Sequence, residues 1–427
     1  MSKHVIDDAK RCLQCSTPMC SRGCPVHTPI RNAIRLLLDS KIEEAGRLLF
    51  ENNPLSLVCC HICPQENQCE GHCVMGKRGS PVQISAIEEY ISDYYLSLYK
   101  PTPTTREAGK IAIIGSGPAG ITIAFFLARR NYDITIFEGN DKIGGIMRYG
   151  IPEFRLPKRI LDRLMEVMVQ TGIHIKPHAT IGSNLTIDEL FRDGFDAIFM
   201  GTGVWRPYKM GIKGESLGNV HYAIEYLRNP AVYSLGKRLA VIGAGNVAMD
   251  VARTALRQGC EEVHVICNGG DNTVTARPVE LQYTLIDGAK LQYHKSVVEF
   301  TEQGPILCDS QTETDDMGIY TITPIRGTEE LLEVDSTIIA VGQGPRAVVI
   351  STTTGINVDR RGLVEVDRSG QTTREGVFAS GDVVSGARTV VEAVRVSREV
   401  AQEMDKYVCD KYGRPYVAPV YAEPHND

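Results

Sequence analysis

The sequence has no long apolar segment and no concentration of positive charge. Its apolar stretches, such as residues 111–114 and 240–242, are only as long as a strand, so none is expected to span a bilayer. The formal net charge is −6, and residues 1–100 hold eleven Lys and Arg against eleven Asp and Glu. No basic stripe for nucleic acid exists, and no secretory signal peptide is recognised.

Cysteine is scarce in one part of the chain and dense in another. Residues 106–427 contain no Cys-x-x-Cys pair, which excludes a thioredoxin-reductase-like enzyme that passes electrons to a disulfide. Nine of the 13 cysteines lie in the first 73 residues, and the others are Cys260, Cys267, Cys308 and Cys409. A chain of this length does not need disulfides to hold its core, so thiols at this density predict a reducing, cytoplasmic location.

The N-terminal cysteines form two spaced runs. The first run is Cys12-x2-Cys15-x4-Cys20-x3-Cys24-Pro25. The second run is Cys63-Pro64, Cys69 and Cys73, preceded by Cys59 and Cys60. This layout is that of two-cluster ferredoxins, where the last cysteine of a run ligates the other cluster. We therefore expect Cys24 to join Cys63, Cys69 and Cys73 around one 4Fe–4S cluster. The other three cysteines of the first run should hold a second cluster and need a fourth ligand.

Structural zinc is the main alternative for these cysteines. Cys-x2-Cys pairs are common zinc ligands, but zinc ribbons usually repeat that pair on both sides of a loop. The remaining spacings here are 4, 3, 5 and 3 residues, which favours iron–sulfur clusters.

The hydrophobic pattern predicts an α/β protein in which an N-terminal all-helical domain, made an iron–sulfur domain by the cysteine runs, precedes two nested Rossmann-like domains. Residues 1–105 should be helical and end in a stiff Pro-Thr linker at 101–105. Strand–glycine–helix patterns follow. Two glycine-rich turns, at 115–120 and 243–248, each follow a predicted strand. We therefore expect a first dinucleotide-binding domain, for FAD, in two segments, 106–205 and 335–413, and a second, for NAD(P), at 206–334. A tail at 414–427 should be disordered or lie as an arm on a neighbour.

The first dinucleotide motif follows directly on the predicted strand 110–114. It comprises Gly115, Ser116, Gly117, Pro118, Ala119 and Gly120, and it opens a helix whose N–H groups should face a pyrophosphate. A second strand ends in Glu138, 23 residues after Gly115, where a carboxylate is expected to bind a ribose hydroxyl.

The second motif has the same context and comprises Gly243, Ala244, Gly245, Asn246, Val247 and Ala248. The strand that follows ends in Cys267 and Asn268 rather than in an acid. No arginine pair is present to clamp a 2′-phosphate, and Arg277 comes nine residues after Asn268. The motif predicts a nicotinamide cofactor site with a preference for NADH over NADPH.

A later segment should complete the first domain. An apolar strand ends at Gly381-Asp382, and residues 389–391 should then begin a helix. In two-dinucleotide flavoproteins such an aspartate binds the flavin ribitol, and the alternative role of Asp382 is a helix N-cap.

Together these motifs resemble the glutamate synthase small-subunit family. The stretches that carry the resemblance are residues 11–15, 63–66, 69–73, 150–157 (Gly-Ile-Pro-Glu-Phe-Arg-Leu-Pro) and Gly381-Asp382. Similar parts occur in the flavoprotein subunit of dihydropyrimidine dehydrogenase and in the large subunit of NADH-dependent reduced ferredoxin:NADP oxidoreductase. Members of the glutamate synthase family usually end the second-domain strand in two arginines, and this chain departs from that pattern.

The resemblance implies a role for each group of site residues. FAD would be held by Gly115 to Gly120, Glu138, Gly144, Gly145 and Arg155, with Gly381, Asp382, Thr389 and Val390 around its ring. The nicotinamide cofactor would be held by Gly243, Gly245, Asn246 and Val247, with Ala340, Val341 and Gly342. The incomplete cluster would take Glu88 as its fourth ligand, and the alternatives are Cys59, Cys60 or a solvent-facing role for Glu88.

The function implied is an NAD(P)H-dependent oxidoreductase subunit without catalytic acid, base or nucleophile. Electrons would pass from NAD(P)H through FAD and two 4Fe–4S clusters to a larger catalytic or ferredoxin-linked partner subunit in a hetero-oligomer. The alternatives are the flavoprotein subunit of an NAD-dependent dihydropyrimidine dehydrogenase and half of an electron-bifurcating ferredoxin:NADP transhydrogenase.

Overall fold

The computed structural model describes residues 2–101, 105–314 and 320–418. Linker residues 102–104 and the tail beyond residue 418, for which we predicted a stiff linker and an arm or a disordered tail, lie outside the described residues. The chain divides into two compact units. The first holds the residues up to 148, residues 153–204 and the residues from 345 onward, and the second holds residues 149–152 and 205–344.

The first unit begins with a helical region. Its helices are α1 (Ser2–Ala9), α2 (Met19–Gly23), α3 (Ile30–Leu38), α4 (Ile42–Asn52), α5 (Ser56–Ile62) and α6 (Ile84–Leu98). Apolar residues recur every three or four positions along α3 and α4, so each helix turns one apolar face inward. Ile34 and Leu49 are buried there, and Ile87 and Ile91 of α6 complete the same core.

A parallel five-stranded sheet forms the centre of the remaining first unit. Its strands are β1 (Lys110–Ile114), β2 (Asp133–Phe137), β3 (His174–Lys176), β4 (Ala197–Met200) and β16 (Val377–Ala379), in the order β16-β4-β1-β2-β3. Strand β4 is apolar along its whole length, and so is β1 after Lys110, because both faces of such a sheet are covered. Its helices are α7 (Pro118–Ala128), α8 (Ile146–Tyr149), α9 (Lys158–Gln170), α10 (Ile187–Arg192), α14 (Val348–Ser351), α15 (Asp382–Ser385) and α16 (Val390–Lys411).

The second unit contains another parallel sheet, in the order β6 (Val220–Tyr222), β14 (Ser336–Ile339), β7 (Arg238–Ile242), β8 (Glu262–Ile266) and β9 (Lys290–Gln292). The unit comprises β5 (Arg206–Pro207), β6 (Val220–Tyr222), α11 (Ala223–Arg228), β7 (Arg238–Ile242), α12 (Asn246–Arg257), β8 (Glu262–Ile266), α13 (Pro278–Ile286), β9 (Lys290–Gln292), β10 (Lys295–Thr301), β11 (Gly304–Thr314), β12 (Tyr320–Pro324), β13 (Glu330–Leu331), β14 (Ser336–Ile339) and β15 (Gln343–Gly344). Strands β10 to β13 form an antiparallel sheet, and β15 pairs with β5.

Strand β14 lies in a different place from the one we expected. We placed residues from 335 onward in the returning FAD segment, but β14 pairs in parallel with β6 and β7 of the second unit. Its four residues are buried between those strands, so the return to the first unit begins at Pro345.

The described part of the tail lies on the first unit. Arg130 donates a hydrogen bond of 2.6 Å from Nη2 to the Val417 carbonyl, and its guanidinium faces the Tyr416 ring at 6.0 Å. Among the helices that the structure describes, none combines the length and the apolar character that crossing a bilayer requires.

Candidate functional site

The first glycine turn connects β1 to α7. Gly115 has a φ of +94°, and a Cβ at Gly120 would lie 2.0 Å from the Gly115 carbonyl oxygen, so both positions require glycine. A Cβ at Gly117 would meet no atom within 4 Å. The turn is therefore closely packed at Gly115 and Gly120 and open at Gly117. In such a motif the second glycine lets the backbone approach a pyrophosphate. Pro118 begins α7 and aims its N-terminus at that space.

Glu138 follows β2 and lies beside this turn. Its carboxylate accepts hydrogen bonds from the Ser116 amide at 3.0 Å, from the Ser116 hydroxyl, and from the Asn140 amide at 2.8 Å. Only 4% of Glu138 is exposed. The structure brings together the predicted turn and the predicted carboxylate, and the ribose contact stays a prediction. The sequence pattern did not point to Asn140, although Gly139-Asn140 after a strand is a turn signal.

Two further predicted segments reach the same turn. The Gly144 amide donates to the Ser116 carbonyl at 3.0 Å, and a Cβ at Gly145 would lie 2.8 Å from the Gly117 Cα. A Cβ at Gly381, which has a φ of +73°, would lie 3.1 Å from the Ala119 side chain. Arg155 is half-buried in the segment before α9, and its contact with the cofactor stays a prediction.

Asp382 and Thr389 lie at two neighbouring helix starts. Asp382 is the first residue of α15, and burial raises the pKa of its carboxyl to about 6 although the Arg388 amide donates to it at 3.2 Å. Thr389 caps α16 through a reciprocal capping box with Glu392. The helix start predicted at residues 389–391 is confirmed, and Val390 is its first residue.

The second glycine turn connects β7 to α12. A Cβ at Gly243, which has a φ of +135°, would lie 2.5 Å from the Ala340 carbonyl oxygen. Residues 271–277 fold over the turn, since the amides of Thr275 and Ala276 donate to the Ala244 carbonyl at 3.1 and 3.0 Å. The turn thus lies against Ala340, and the contact of Ala340, Val341 and Gly342 with a nicotinamide cofactor stays a prediction.

The end of β8, which we predicted to lie at the adenine ribose, carries Cys267 and Asn268. Cys267 is 1% exposed, and burial raises the pKa of its thiol to about 11. Asn268 is exposed, and its carbonyl accepts the Ser310 hydroxyl. The backbone amide of Arg277 donates to the Asn246 side chain at 2.9 Å, which places the start of α13 at the turn.

Four half-exposed cysteines form what we call the outer set: Cys12, Cys15, Cys20 and Cys73. Burial and the neighbouring thiols raise the pKa of Cys20 to about 11, although a backbone hydrogen bond opposes this shift. The four line one cavity with the apolar side chains of Ile30, Ile34, Val82 and Ile84, and Gln14 donates to the Cys12 sulfur at 3.5 Å.

A second group, which we call the inner set, lies deeper: Cys24, Cys63, Cys69 and Glu88. Burial raises the pKa of the Glu88 carboxyl to about 8, with a smaller contribution from Glu70. The Glu88 carboxyl in turn raises the pKa of each cysteine of the set. Helix α6, which carries Glu88, packs against α5, which leads directly to Cys63.

The two sets differ from the expected ligand sets because Cys73 and Glu88 have exchanged places. We expected Cys73 with Cys24 and Glu88 with Cys12, whereas the structure places Cys73 in the outer set and Glu88 in the inner set. Cys73 precedes the 3-10 turn Val74–Arg78 and lines a cavity with Ile30 and Ile34 of α3, which separates it from Cys69.

The adjacent cysteines Cys59 and Cys60 do not enter the outer set. Cys59 lies beside Cys63 and accepts a hydrogen bond from Asn53 at 3.3 Å, and the Cys60 thiol donates to the Leu57 carbonyl at 3.0 Å. Each set thus contains four ligand atoms of the kinds that iron–sulfur clusters accept. Within the described residues, no three His, Cys, Asp or Glu side chains are arranged around a single metal ion.

Two family matches cover most of the chain. Residues 1–98 match the family described as dihydropyrimidine dehydrogenase domain II, 4Fe-4S cluster. Residues 109–397 match the family described as pyridine nucleotide-disulphide oxidoreductase. The chain belongs to the pyridine nucleotide-disulphide oxidoreductase family. This oxidoreductase uses FAD, NAD(P)H and 4Fe–4S chemistry, which confirms the predicted cofactor types, enzyme class and electron-transfer function.

Relatives of this oxidoreductase span nearly its whole length. The glutamate synthase (NADPH) small chain of Halomonas elongata is 32% identical, covering 94% of this chain and 90% of the relative. The NAD-dependent dihydropyrimidine dehydrogenase subunit PreT of Salmonella typhimurium is also 32% identical, covering 95% and 94%. The predicted membership of the glutamate synthase small-subunit-like family is confirmed.

Solved structures share the fold of this oxidoreductase. Mycobacterium tuberculosis FprA in complex with NADPH matches with a TM-score of 0.60 at 17% identity, covering 74% of this chain and 88% of FprA. Lactococcus lactis thioredoxin reductase matches with a TM-score of 0.54 at 22% identity, covering 71% and 99%. These likenesses confirm the predicted fold class of two-dinucleotide flavoproteins.

Proposed function

We propose that this oxidoreductase is the small subunit of a hetero-oligomer and passes electrons from NAD(P)H through FAD and two 4Fe–4S clusters to a larger partner. FAD accepts electrons in pairs from a nicotinamide and releases them singly, as iron–sulfur clusters require. The observation that carries the proposal is the presence of two separate four-ligand sets in the helical region of the first unit. Names of the relatives support the partner, since the Halomonas protein is a small chain and PreT is a subunit.

The residues of the chain would bind and orient the cofactors rather than exchange protons with a substrate. The open space at Gly117 and the N-terminus of α7 would accept the FAD pyrophosphate. Asp382 and the Thr389 end of α16 would lie at the flavin. Cys24, Cys63 and Cys69, all buried, would shield one cluster from water together with Glu88.

The exposure of the two sets supports an order of electron flow. The inner set is buried and its helix α5 contacts α16, whose start is assigned to the flavin. The outer set is half-exposed, and Leu13 and Met19 at its cavity are 52% and 40% exposed. Electrons would therefore leave from the outer set, which a partner can approach.

The second glycine turn supports NADH as the preferred nicotinamide cofactor. A 2′-phosphate is bound by cationic side chains at the end of the second strand. Here that strand end offers the buried Cys267 and the neutral Asn268. This difference favours the alternatives linked to NADH, a dihydropyrimidine dehydrogenase subunit or one half of a bifurcating transhydrogenase, over the NADPH-dependent glutamate synthase assignment. Reduced thiols at this density support a cytoplasmic location.

An anaerobic absorption titration of the purified holoenzyme tests the proposal. NADH should bleach the flavin bands together with a broad underlying iron–sulfur absorption, and NADPH should require a higher concentration for the same effect. A colourless protein, or a flavin spectrum without the broad component and with zinc in the metal analysis, would contradict it. Chains that co-purify with the enzyme identify which of the possible partners it serves.

A further inference from the structure

One arginine of α16 joins the helical region to the FAD-binding part of the first unit. Arg398 donates from Nη1 to the Val26 carbonyl at 3.3 Å and to the Asn52 side-chain oxygen at 3.0 Å. Asn52 also donates to the Val26 carbonyl at 3.3 Å, so the three groups close a triangle of hydrogen bonds. Asn52 and Val26 are 9% and 1% exposed. Hydrogen bonds with a charged donor in such a setting are stronger than neutral ones.

The triangle connects two places that matter for electron transfer. Val26 comes two residues after Cys24, and its backbone amide hydrogen-bonds toward the Cys24 sulfur. Arg398 comes eight residues after Val390, the first residue of α16. At 1.5 Å per residue, about 12 Å of rigid helix separates it from the flavin end.

A second arginine fixes the same end of α4. Arg129, which caps the C-terminus of α7, donates to the carbonyls of Phe50 and Glu51, each at 3.0 Å. The Phe50 ring also packs on the Phe125 ring of α7 at 5.3 Å between centroids. Helix α7 begins at the first glycine turn. Both helices whose starts are assigned to FAD therefore hold the end of α4.

We propose that Arg398 is a positioning residue, which fixes the Cys24 loop, and with it the inner cluster, at a set distance from the flavin. This inference rests on the proposed function, because it requires the inner set to hold a cluster that receives electrons from FAD. The guanidinium does not touch the reacting atoms. It acts through the Val26 carbonyl on a segment whose amide groups hydrogen-bond a cluster ligand, and such hydrogen bonds also contribute to the cluster potential.

The test compares Arg398→Ala with Arg395→Ala in the intact holoenzyme. Arg395 is a matched control, since it lies on the same helix and, among the residues that the structure describes, its hydrogen bond goes to Glu399 one turn away, at 3.1 Å. After anaerobic rapid mixing with NADH, flavin bleaching and cluster reduction are followed separately, the latter by freeze-quench electron paramagnetic resonance. Arg398→Ala should reduce its flavin at the wild-type rate and its inner cluster about tenfold more slowly, equivalent to roughly 1.4 kcal/mol.

Arg398→Lys should recover part of the rate of cluster reduction. Its ammonium keeps the charge but lacks the planar set of N–H donors that a guanidinium presents. Equal cluster-reduction rates in Arg398→Ala and Arg395→Ala would overturn the inference. So would a parallel loss of flavin content or of flavin reduction in both Arg398 variants, which is the signature of general destabilisation. A wild-type enzyme whose clusters are absent, or are not reduced after the flavin, would contradict the proposed function itself.

Discussion

Glu88 is the acidic member of the inner set, whose other members are three cysteines. Glu88 is half-buried, and burial raises the pKa of its carboxyl to about 8; the carboxyl in turn adds to the effect of burial on the pKa of the Cys24, Cys63 and Cys69 thiols. An acid in that environment without a compensating partner destabilises the fold. Coordination of iron would remove this cost, because the metal favours the carboxylate.

Replacing Glu88 tests its role as a ligand. Glu88→Ala should lower the iron content of the purified protein by about half, because one of two clusters loses a ligand. Glu88→Gln should keep most of the iron, since its side-chain oxygen can still coordinate. The control is Glu89→Ala, whose carboxylate lies 3.6 Å from His61 on the outside of α6. Unchanged iron in Glu88→Ala would show that another group completes the inner set.

Asp382 makes stability depend on pH in the flavin-free protein. Burial raises the pKa of its carboxyl in the folded protein to about 6. The protonated carboxyl therefore stabilises the fold fully below the pKa of the unfolded chain, and this stabilisation is lost as the pH rises through about 6. Asp382→Asn should therefore have a higher free energy of unfolding than the wild type at neutral pH, by on the order of 2 kcal/mol. This difference should become smaller toward pH of about 5. Urea midpoints at the two pH values measure this, and a gap that does not change with pH would contradict it.

At the scale of elements, the first strand–glycine–helix turn uses two of its glycines for different purposes. Gly120 lets α7 pack closely on β1, whereas Gly117 leaves open space in front of the turn. Gly117 has a φ of −71°, which alanine can adopt. The two positions therefore separate folding from cofactor binding.

Gly117→Ala should retain the thermal stability of the flavin-free protein and lose FAD affinity, because its methyl group occupies the space for the pyrophosphate. Gly120→Ala should destabilise the fold itself by roughly 3 kcal/mol, since its methyl group meets a backbone oxygen. Thermal melts and flavin content of the two variants provide the measurement. Full flavin content in Gly117→Ala would mean that FAD does not lie against this turn.

Elements set by a local pattern could be predicted from the sequence. The strand ending at Ile114, the glycine turn and the helix after it follow from residues that adjoin along the chain, and so does the helix beginning after Thr389. The placement of β14 could not be predicted this way. An apolar strand fits either parallel sheet, and its neighbours are decided by pairing with β6 and β7.

The division of the cysteines into the outer and inner sets could not be predicted from the sequence for a similar reason. Cys69 and Cys73 are four residues apart and were assigned to one cluster because they belong to one run. Their separation depends on how the turn Val74–Arg78 packs against α3, which no spacing encodes. Glu88 was identified only through the family resemblance, and its partners Cys24 and Cys63 were revealed by the packing of α6 on α5.

At the scale of the whole molecule, the first unit joins the helical region to the FAD-binding sheet through the end of α4. Arg129 and Arg398 reach that end from two helices. The inner set lies on the buried side of the helical region and the outer set near its surface. We therefore predict that electrons leave the protein only through the cysteine sets and never from the flavin directly.

Removing Cys63 tests that claim most directly. Cys63→Ser should bleach its flavin with NADH at the wild-type rate, because the residue lies in the helical region and not at the glycine turns. Reduction of an artificial one-electron acceptor that takes electrons from the clusters should be abolished in the same variant. Acceptor reduction at the wild-type rate would contradict the account, since electrons would then leave from the flavin. Loss of flavin reduction as well would contradict the proposed order of cofactors.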